Sequence, residues 1–251
     1  MAGIYRTKGR AAEYAYLAIK PYRGCGHGCK YCYGPAVTRD QDFFRCVAER
    51  KDVLDTVRRQ APKLTGNRQR VLLSFITDPY QPLDDVTRTT RALLEILRQN
   101  KIPFTTLTKA GKRATRDLDL FGPDDMFGMT LTFIDLEKSI QVEPYAALPD
   151  DRITALKTAY NAGIRTWVSL EPVIDPAQSL ELIRRTYKFV THYKIGKLNH
   201  HKCTITAGQW RQFGIAAINL CRKYHVSYYI KTDLAAYLNG VDFENTDTRI
   251  V

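Results

Sequence analysis

Three cysteines stand close together in Pro21-Tyr22-Arg23-Gly24-Cys25-Gly26-His27-Gly28-Cys29-Lys30-Tyr31-Cys32-Tyr33-Gly34. A Cys-x3-Cys-x2-Cys run can supply thiolates to three corners of a 4Fe-4S cube and leave one iron open to a substrate or cofactor. Clusters that only carry electrons take four cysteines, so the missing fourth ligand points to chemistry at the metal. Gly24, Gly26, Gly28 and Gly34 would let the backbone wrap an inorganic centre at positive φ angles that other residues resist. Two other uses of the thiols stay open. Disulfides need an oxidising compartment, and the polar, basic start Ile4-Tyr5-Arg6-Thr7-Lys8 has no apolar signal region, so a reducing cytoplasm is expected. Zinc on Cys25, Cys29, Cys32 and His27 would crowd its ligands into one short loop, where structural zinc takes separated pairs.

Further polar motifs occur at Thr77-Asp78-Pro79-Tyr80-Gln81-Pro82 and Thr108-Lys109. With Tyr31 before the last cysteine, these segments resemble the radical S-adenosylmethionine (SAM) superfamily, and within it the spore photoproduct lyase-like branch, from about Tyr16 to Asp175. The resemblance implies a 4Fe-4S cluster and SAM as cofactors and an external electron donor of flavodoxin or ferredoxin type. It also implies that Thr77, Asp78, Lys109 and a hydroxyl near Thr130, with Thr132 as the neighbouring choice, contact SAM, and that Tyr31 lies beside the adenine. Tyr33 matches a tyrosine of the branch's radical relay. One position departs: the branch places a hydrogen-donating cysteine three residues before the Asp-Pro pair, and this chain has Phe75, which speaks against photoproduct repair.

Chemistry gives these residues roles of their own. Asp78 could accept hydrogen bonds from the SAM ammonium and Lys109 could offset its carboxylate. Asp78 before a proline can equally be a turn residue, and Thr130 and Thr132 can be plain strand formers. Glu171, before Pro172 at a strand end, is a further candidate cofactor contact. Cys203 follows Lys194, Lys197, Asn199, His200, His201 and Lys202, cations that favour a thiolate, so it is a candidate catalytic residue beside the reading of a polar loop. Cys46 and Cys221 read as structural.

Residues so far apart need a frame that gathers them. Periodicity predicts strands at 16–19, 71–77, 104–108, 127–133, 165–170, 189–195 and 226–230. Helices are expected at 47–60, from a cap at Asp84 or Asp85 to Asn100, and at 150–161, 176–187 and 206–224. Strand-then-helix order without a Pro/Gly/Ser linker argues for one parallel-stranded domain over 1–251, with a core of about 16–231. The fold class is α/β, an incomplete (β/α)6-type barrel with a further strand. In barrels the chemistry sits at the strand C-termini, where all these motifs fall.

A chain of 251 residues can bury one such core, and no apolar run is long enough for a bilayer. The net charge of +12 attracts acidic partners over a Debye length, roughly 8 Å. Nucleic acid is the leading partner, although no block of five consecutive Lys/Arg occurs, and the loop 194–202 is expected to supply contacts. The function read here is a radical SAM enzyme that abstracts hydrogen from a nucleic acid or nucleotide. The alternatives are radical modification of a peptide or partner protein, and a non-enzymatic, metal-stapled nucleic-acid-binding module. The oligomeric state is not legible.

Overall fold

Residues 3–201 and 203–251 are described by the computed structural model of the chain. Short apolar runs form strands β1 (Tyr5–Arg6), β2 (Leu17–Ile19), β3 (Tyr22–Arg23), β4 (Ala48–Glu49), β5 (Val71–Leu73), β6 (Phe104–Thr108), β7 (Met126–Thr130), β8 (Arg165–Leu170), β9 (His192–Ile195) and β10 (Ser227–Ile230). The helices are α1 (Gly34–Thr38), α2 (Val53–Gln60), α3 (Asp84–Thr87), α4 (Thr89–Gln99), α5 (Leu136–Val142), α6 (Pro149–Asn161), α7 (Pro176–Thr186), α8 (Ala207–Lys223) and α9 (Thr232–Ala235).

The main sheet runs β1-β2-β5-β6-β7-β8-β9-β10, parallel throughout except that β1 joins β2 antiparallel. Both faces of these strands are covered, so β2, β5, β7 and β9 are buried along their whole length, polar residues of β9 included. Alternation still sorts the side chains. Val71 and Leu73 of β5 join the core under the helices, whereas Leu72 joins Ala18, Met126 and Trp167 in a separate interior cluster. Tyr14, Phe75 and Leu107 pack on that cluster, and the Trp167 indole N–H donates to Thr105 Oγ1 at 2.8 Å. The barrel interior is therefore plugged beneath the level where the functional loops begin.

Among the described residues β10 pairs only with β9, so the sheet stays open. A 3-10 helix, Gly9–Glu13, spans the gap. Glu13 Oε1 accepts from the N–H and the hydroxyl of Thr232, each at 2.7 Å, and Lys194 Nζ donates to the carbonyls of Glu13 at 2.7 Å and Tyr14 at 3.2 Å.

The α/β partial barrel expected from the sequence is present, and seven strands run parallel among the described residues. Boundaries moved where loops form. The strand expected over 71–77 ends at Leu73, because Ser74 Oγ turns back to the Thr77 carbonyl at 2.6 Å, and the one expected to reach residue 133 ends at Thr130. The helix expected from residue 47 starts at Val53, since Ala48–Glu49 pair with Tyr22–Arg23 and close the base of the cysteine loop. The helix expected near Asp84 breaks at Arg88, which has φ 55°. Among the described residues no helix is long and apolar enough to cross a membrane.

Candidate active site

The cysteine loop leaves β3 at the strand C-termini. Gly24 and Gly28 have φ of 72° and 62°, and a Cβ at Gly24 would meet the carbonyls of Phe43 and Cys46 at 2.7 Å, so glycine is required there. Gln81, fully buried, clamps the loop: its Oε1 accepts from the Gly26 N–H at 2.8 Å and its Nε2 donates to the Gly24 carbonyl at 3.4 Å. Cys25 and Cys29 are buried and Cys32 is half-buried, and all three line one cavity of about 590 Å³. Burial pushes the Cys25 thiol up to about 12 and the Cys29 thiol up to about 11. Three thiolates gathered there need compensating positive charge, which a metal centre supplies. Among the described residues no three His, Cys, Asp or Glu side chains converge closely enough to hold a single metal ion. A cube asks for one thiolate on each of three separate irons, and the loop fits that demand.

Asp78 and Lys109 meet at the neighbouring strand ends. Asp78 Oδ1 accepts from the Tyr80 N–H at 2.9 Å and the Thr108 hydroxyl at 2.6 Å, and Oδ2 accepts from the Lys109 N–H at 2.7 Å. His27 Nδ1 lies 3.4 Å from Oδ2. The carboxylate expected to receive a SAM ammonium is thus already engaged by backbone and side-chain donors, and it ties the β5 loop to the end of β6. Among the described residues the Lys109 ammonium has no such bond, and it sits 5.6 Å above the Tyr31 ring. Burial pulls the Lys109 ammonium down, but Cys29, Glu143 and Asp78 together hold it above the ordinary lysine value. His27 is held neutral, its pKa lowered by burial, and its Nε2 is buried without a partner.

Behind Tyr31 lies a buried network not foreseen in the sequence. The Tyr31 hydroxyl donates to Glu143, which also accepts from Thr132 Oγ1 at 2.9 Å and from Arg152 at 2.6 Å. Arg152 further donates to the carbonyls of Ala147 at 2.7 Å and Thr130 at 3.1 Å. Thr132 therefore faces this network and is not among the cavity-lining residues, whereas Thr130 is. Burial would raise the Glu143 carboxyl, but Arg152 and Lys109 hold it below the ordinary range. The pair fixes the Tyr31 ring at the cavity wall.

The opposite wall is built from β8, β9, β10 and the N-terminal segment. Glu171 accepts from the Tyr14 hydroxyl at 2.5 Å, from Asn199 Nδ2 at 3.1 Å and from Lys231. Like Asp78, it is engaged within the protein and acts as a hub between strand ends. Tyr33 lines the cavity at 37% exposure, with the His200 ring 5.7 Å away, and Phe75 meets Tyr14 edge-on at 5.7 Å. Arg6, Lys8, Lys20 and Lys197 also line the cavity and have no carboxylate partner among the described residues.

Cys25, Cys29, Cys32, Tyr31, Tyr33, Thr77, Asp78, Lys109, Thr130 and Glu171 are thus brought to one cavity. Cys203 is not: it is exposed and does not line the cavity. Lys194, expected to contact a polyanion, is buried within β9. Lys202 lies outside the described residues. Cys221 is fully buried, as expected for a small core residue, and Cys46 is exposed.

Comparison with known proteins agrees with this geometry. The family model described as Radical SAM superfamily matches residues 19–190. An uncharacterized protein of Methanocaldococcus jannaschii is 28% identical over 202 residues, covering 78% of this chain and 74% of its own. One of Mycobacterium tuberculosis is 26% identical over 167 residues, covering 62% of this chain and 49% of its own, so the chain spans about half the length of that relative. Among solved structures, a variant spore photoproduct lyase with bound AdoMet and dinucleoside spore photoproduct has a TM-score of 0.71 at 14% identity, over 91% of this chain and 80% of that one. Streptococcus suis SuiB bound to S-adenosylmethionine has a TM-score of 0.66 at 15% identity, over 90% of this chain and 53% of that one, and SuiB has also been solved with the precursor peptide SuiA. At these identities the likeness is one of fold.

Proposed function

Because the chain belongs to the radical SAM superfamily, we propose that its 590 Å³ cavity holds SAM against the cysteine loop and abstracts hydrogen from a phosphate-bearing substrate, a nucleotide or nucleic acid. The cofactors are a 4Fe-4S cluster and SAM. The cluster, when bound, supplies the electron that splits SAM into methionine and a 5′-deoxyadenosyl radical. The protein's own part is to hold, orient and keep dry. Cys25, Cys29 and Cys32 hold the cluster, and Lys109 faces the SAM carboxylate. Tyr31, fixed by Glu143, offers a flat wall to the adenine, with Thr77 and Thr130 as hydroxyl contacts. Asp78 and Glu171 position rather than bind, because their oxygens already accept internal hydrogen bonds.

The observation that carries the substrate class is the set of cavity-lining cations with no carboxylate partner among the described residues: Arg6, Lys8, Lys20 and Lys197. Tyr33, Tyr14 and Phe75 add rings on which a base can stack. Anaerobic reconstitution followed by a SAM-cleavage assay tests the enzyme class. About four irons per chain are expected, lost together with SAM cleavage in Cys25→Ala, Cys29→Ala and Cys32→Ala; stoichiometric zinc with no iron uptake would refute it. A peptide substrate, the case suggested by SuiB with its bound precursor peptide, is favoured instead if no oligonucleotide binds.

A further inference from the structure

Gln81 belongs to the 77–82 motif but does not line the cavity, so it is placed to act on the site only through other residues. Its side chain is fully buried. The turn that carries it is fixed on both sides: the Tyr80 N–H donates to Asp78 Oδ1 at 2.9 Å, and the Asp84 N–H donates to the Gln81 carbonyl at 2.8 Å. From this turn the amide reaches the two residues that flank Cys25. It accepts from the Gly26 N–H at 2.8 Å and donates to the Gly24 carbonyl at 3.4 Å. Between them, the Cys25 N–H donates to the Phe43 carbonyl at 3.0 Å. Three consecutive residues are therefore pinned, and the ligand is the middle one.

The other two cysteines are held by bonds that do not involve this turn. The Cys32 N–H donates to the Cys29 carbonyl at 3.0 Å, and Cys32 Sγ accepts from the Gly34 N–H at 3.3 Å. Cys25 differs in drawing on two segments. Backbone N–H groups of His27, just past Gly26, and of Asp78, at the start of the Gln81 turn, both favour its thiolate against the cost of burial. Gln81 ties one of these segments to the other. An N–H aimed at a cluster sulfur favours added negative charge, and hydrogen bonds to the sulfurs are one of the levers that set a cluster's reduction potential. Only a side chain that accepts and donates at once can make this tie, which an amide of this length does.

We propose that Gln81 is a positioning residue that holds Cys25 against the His27 and Asp78 N–H groups and thereby raises the reduction potential of the centre bound by the three cysteines. This inference rests on the radical SAM reading. In the reduction concerned one electron enters the centre, and no covalent bond is made or broken.

The test is an anaerobic redox titration of the reconstituted full chain with dithionite, followed by electron paramagnetic resonance. Gln81→Met keeps the length of the side chain and removes both hydrogen bonds. It should retain about four irons per chain and make reduction about tenfold less favourable, a fall of about 59 mV for one electron. If Gln81→Met takes up no iron, Gln81→Asn applies the same test, since its amide is one carbon too short to reach both Gly24 and Gly26, and the potential should again fall. An unchanged potential in a variant with its full iron overturns the proposal. So does a higher potential, which would mean that the released Gly26 N–H had turned onto a sulfur. Loss of iron uptake in both variants would assign Gln81 to folding of the loop alone and also overturns it. Wild-type protein that binds zinc and no iron would instead remove the radical SAM reading, and this inference with it.

Discussion

At the scale of single residues, the site separates groups that touch a ligand from groups that hold those groups in place. Asp78 is the clearest case, since its oxygens accept from the Tyr80 and Lys109 N–H groups and from the Thr108 hydroxyl. Its removal should therefore act through Lys109. Lys109→Ala is expected to weaken SAM binding roughly 10- to 150-fold, the equivalent of about 1.5–3 kcal/mol for a charge-assisted hydrogen bond. Asp78→Ala should weaken it less, and the double variant should be no worse than Lys109→Ala. Calorimetry of SAM binding with the cluster spectrum as control checks this; fully additive losses would mean that Asp78 touches SAM on its own. The cysteine loop was legible from sequence because its ligands are local and their spacing is specific. The commitment of Asp78 to Thr108 and Lys109 was not, because these partners lie some thirty positions onward and only the strand register brings them near.

At the scale of elements, α6 presents a core stripe of Ala155, Leu156 and Ala159 that projects back onto Arg152, all buried. An arginine in line with such a stripe must find a buried anion, and that periodic signal could have disclosed both Arg152 and its partner. Glu143 gave no sign of its own, since Glu143-Pro144 after a short helix reads as a polar loop. Their contact at 2.6 Å lies where each is almost wholly shielded from water. Arg152→Met should therefore cost about 3–5 kcal/mol, because it strands the Glu143 charge, while Glu143→Gln/Arg152→Met should recover much of that loss. Urea unfolding of both variants decides the matter, and equal destabilisation of the two would show that packing, rather than the stranded charge, sets the cost. The strands were read well because their β-branched and aromatic residues, such as Phe104–Thr108 and the Trp167-Val168 pair, leave a strong pattern even where polar side chains interrupt it. The boundaries at Leu73, Thr130 and Val53 were not, since each depends on tertiary bonds that turn the chain into the site.

At the scale of the whole molecule, the open seam of the barrel is closed by the N-terminal segment, and the same segment carries cations to the cavity. Lys194 secures the seam from within and is therefore not free to bind a polyanion. Burial, then Arg249 and Lys231, pull its ammonium down to about 7, while the unfolded chain keeps a value near ~10.4. Between these values the unfolded state binds the extra proton, so this group makes stability rise with pH across that window, by up to about 1.4 kcal/mol per unit. Lys194→Met should flatten that slope in chemical unfolding. The polyanion contacts must then come from Arg6, Lys8, Lys20 and Lys197, of which Arg6 and Lys8 ride on the seam. If these four cations meet phosphates, log K for a single-stranded oligonucleotide should fall with log salt by about 0.7 per phosphate neutralised. Arg6→Glu/Lys8→Glu should lower both affinity and slope, by about one phosphate's worth per residue removed, while substrate-free SAM cleavage is unchanged. Fluorescence anisotropy over a salt series measures both quantities. Binding that is absent at low ionic strength, or insensitive to salt in the wild type, would turn the substrate assignment toward a peptide, for which the aromatic rings of Tyr33, Tyr14 and Phe75 at the cavity would serve side chains instead of bases.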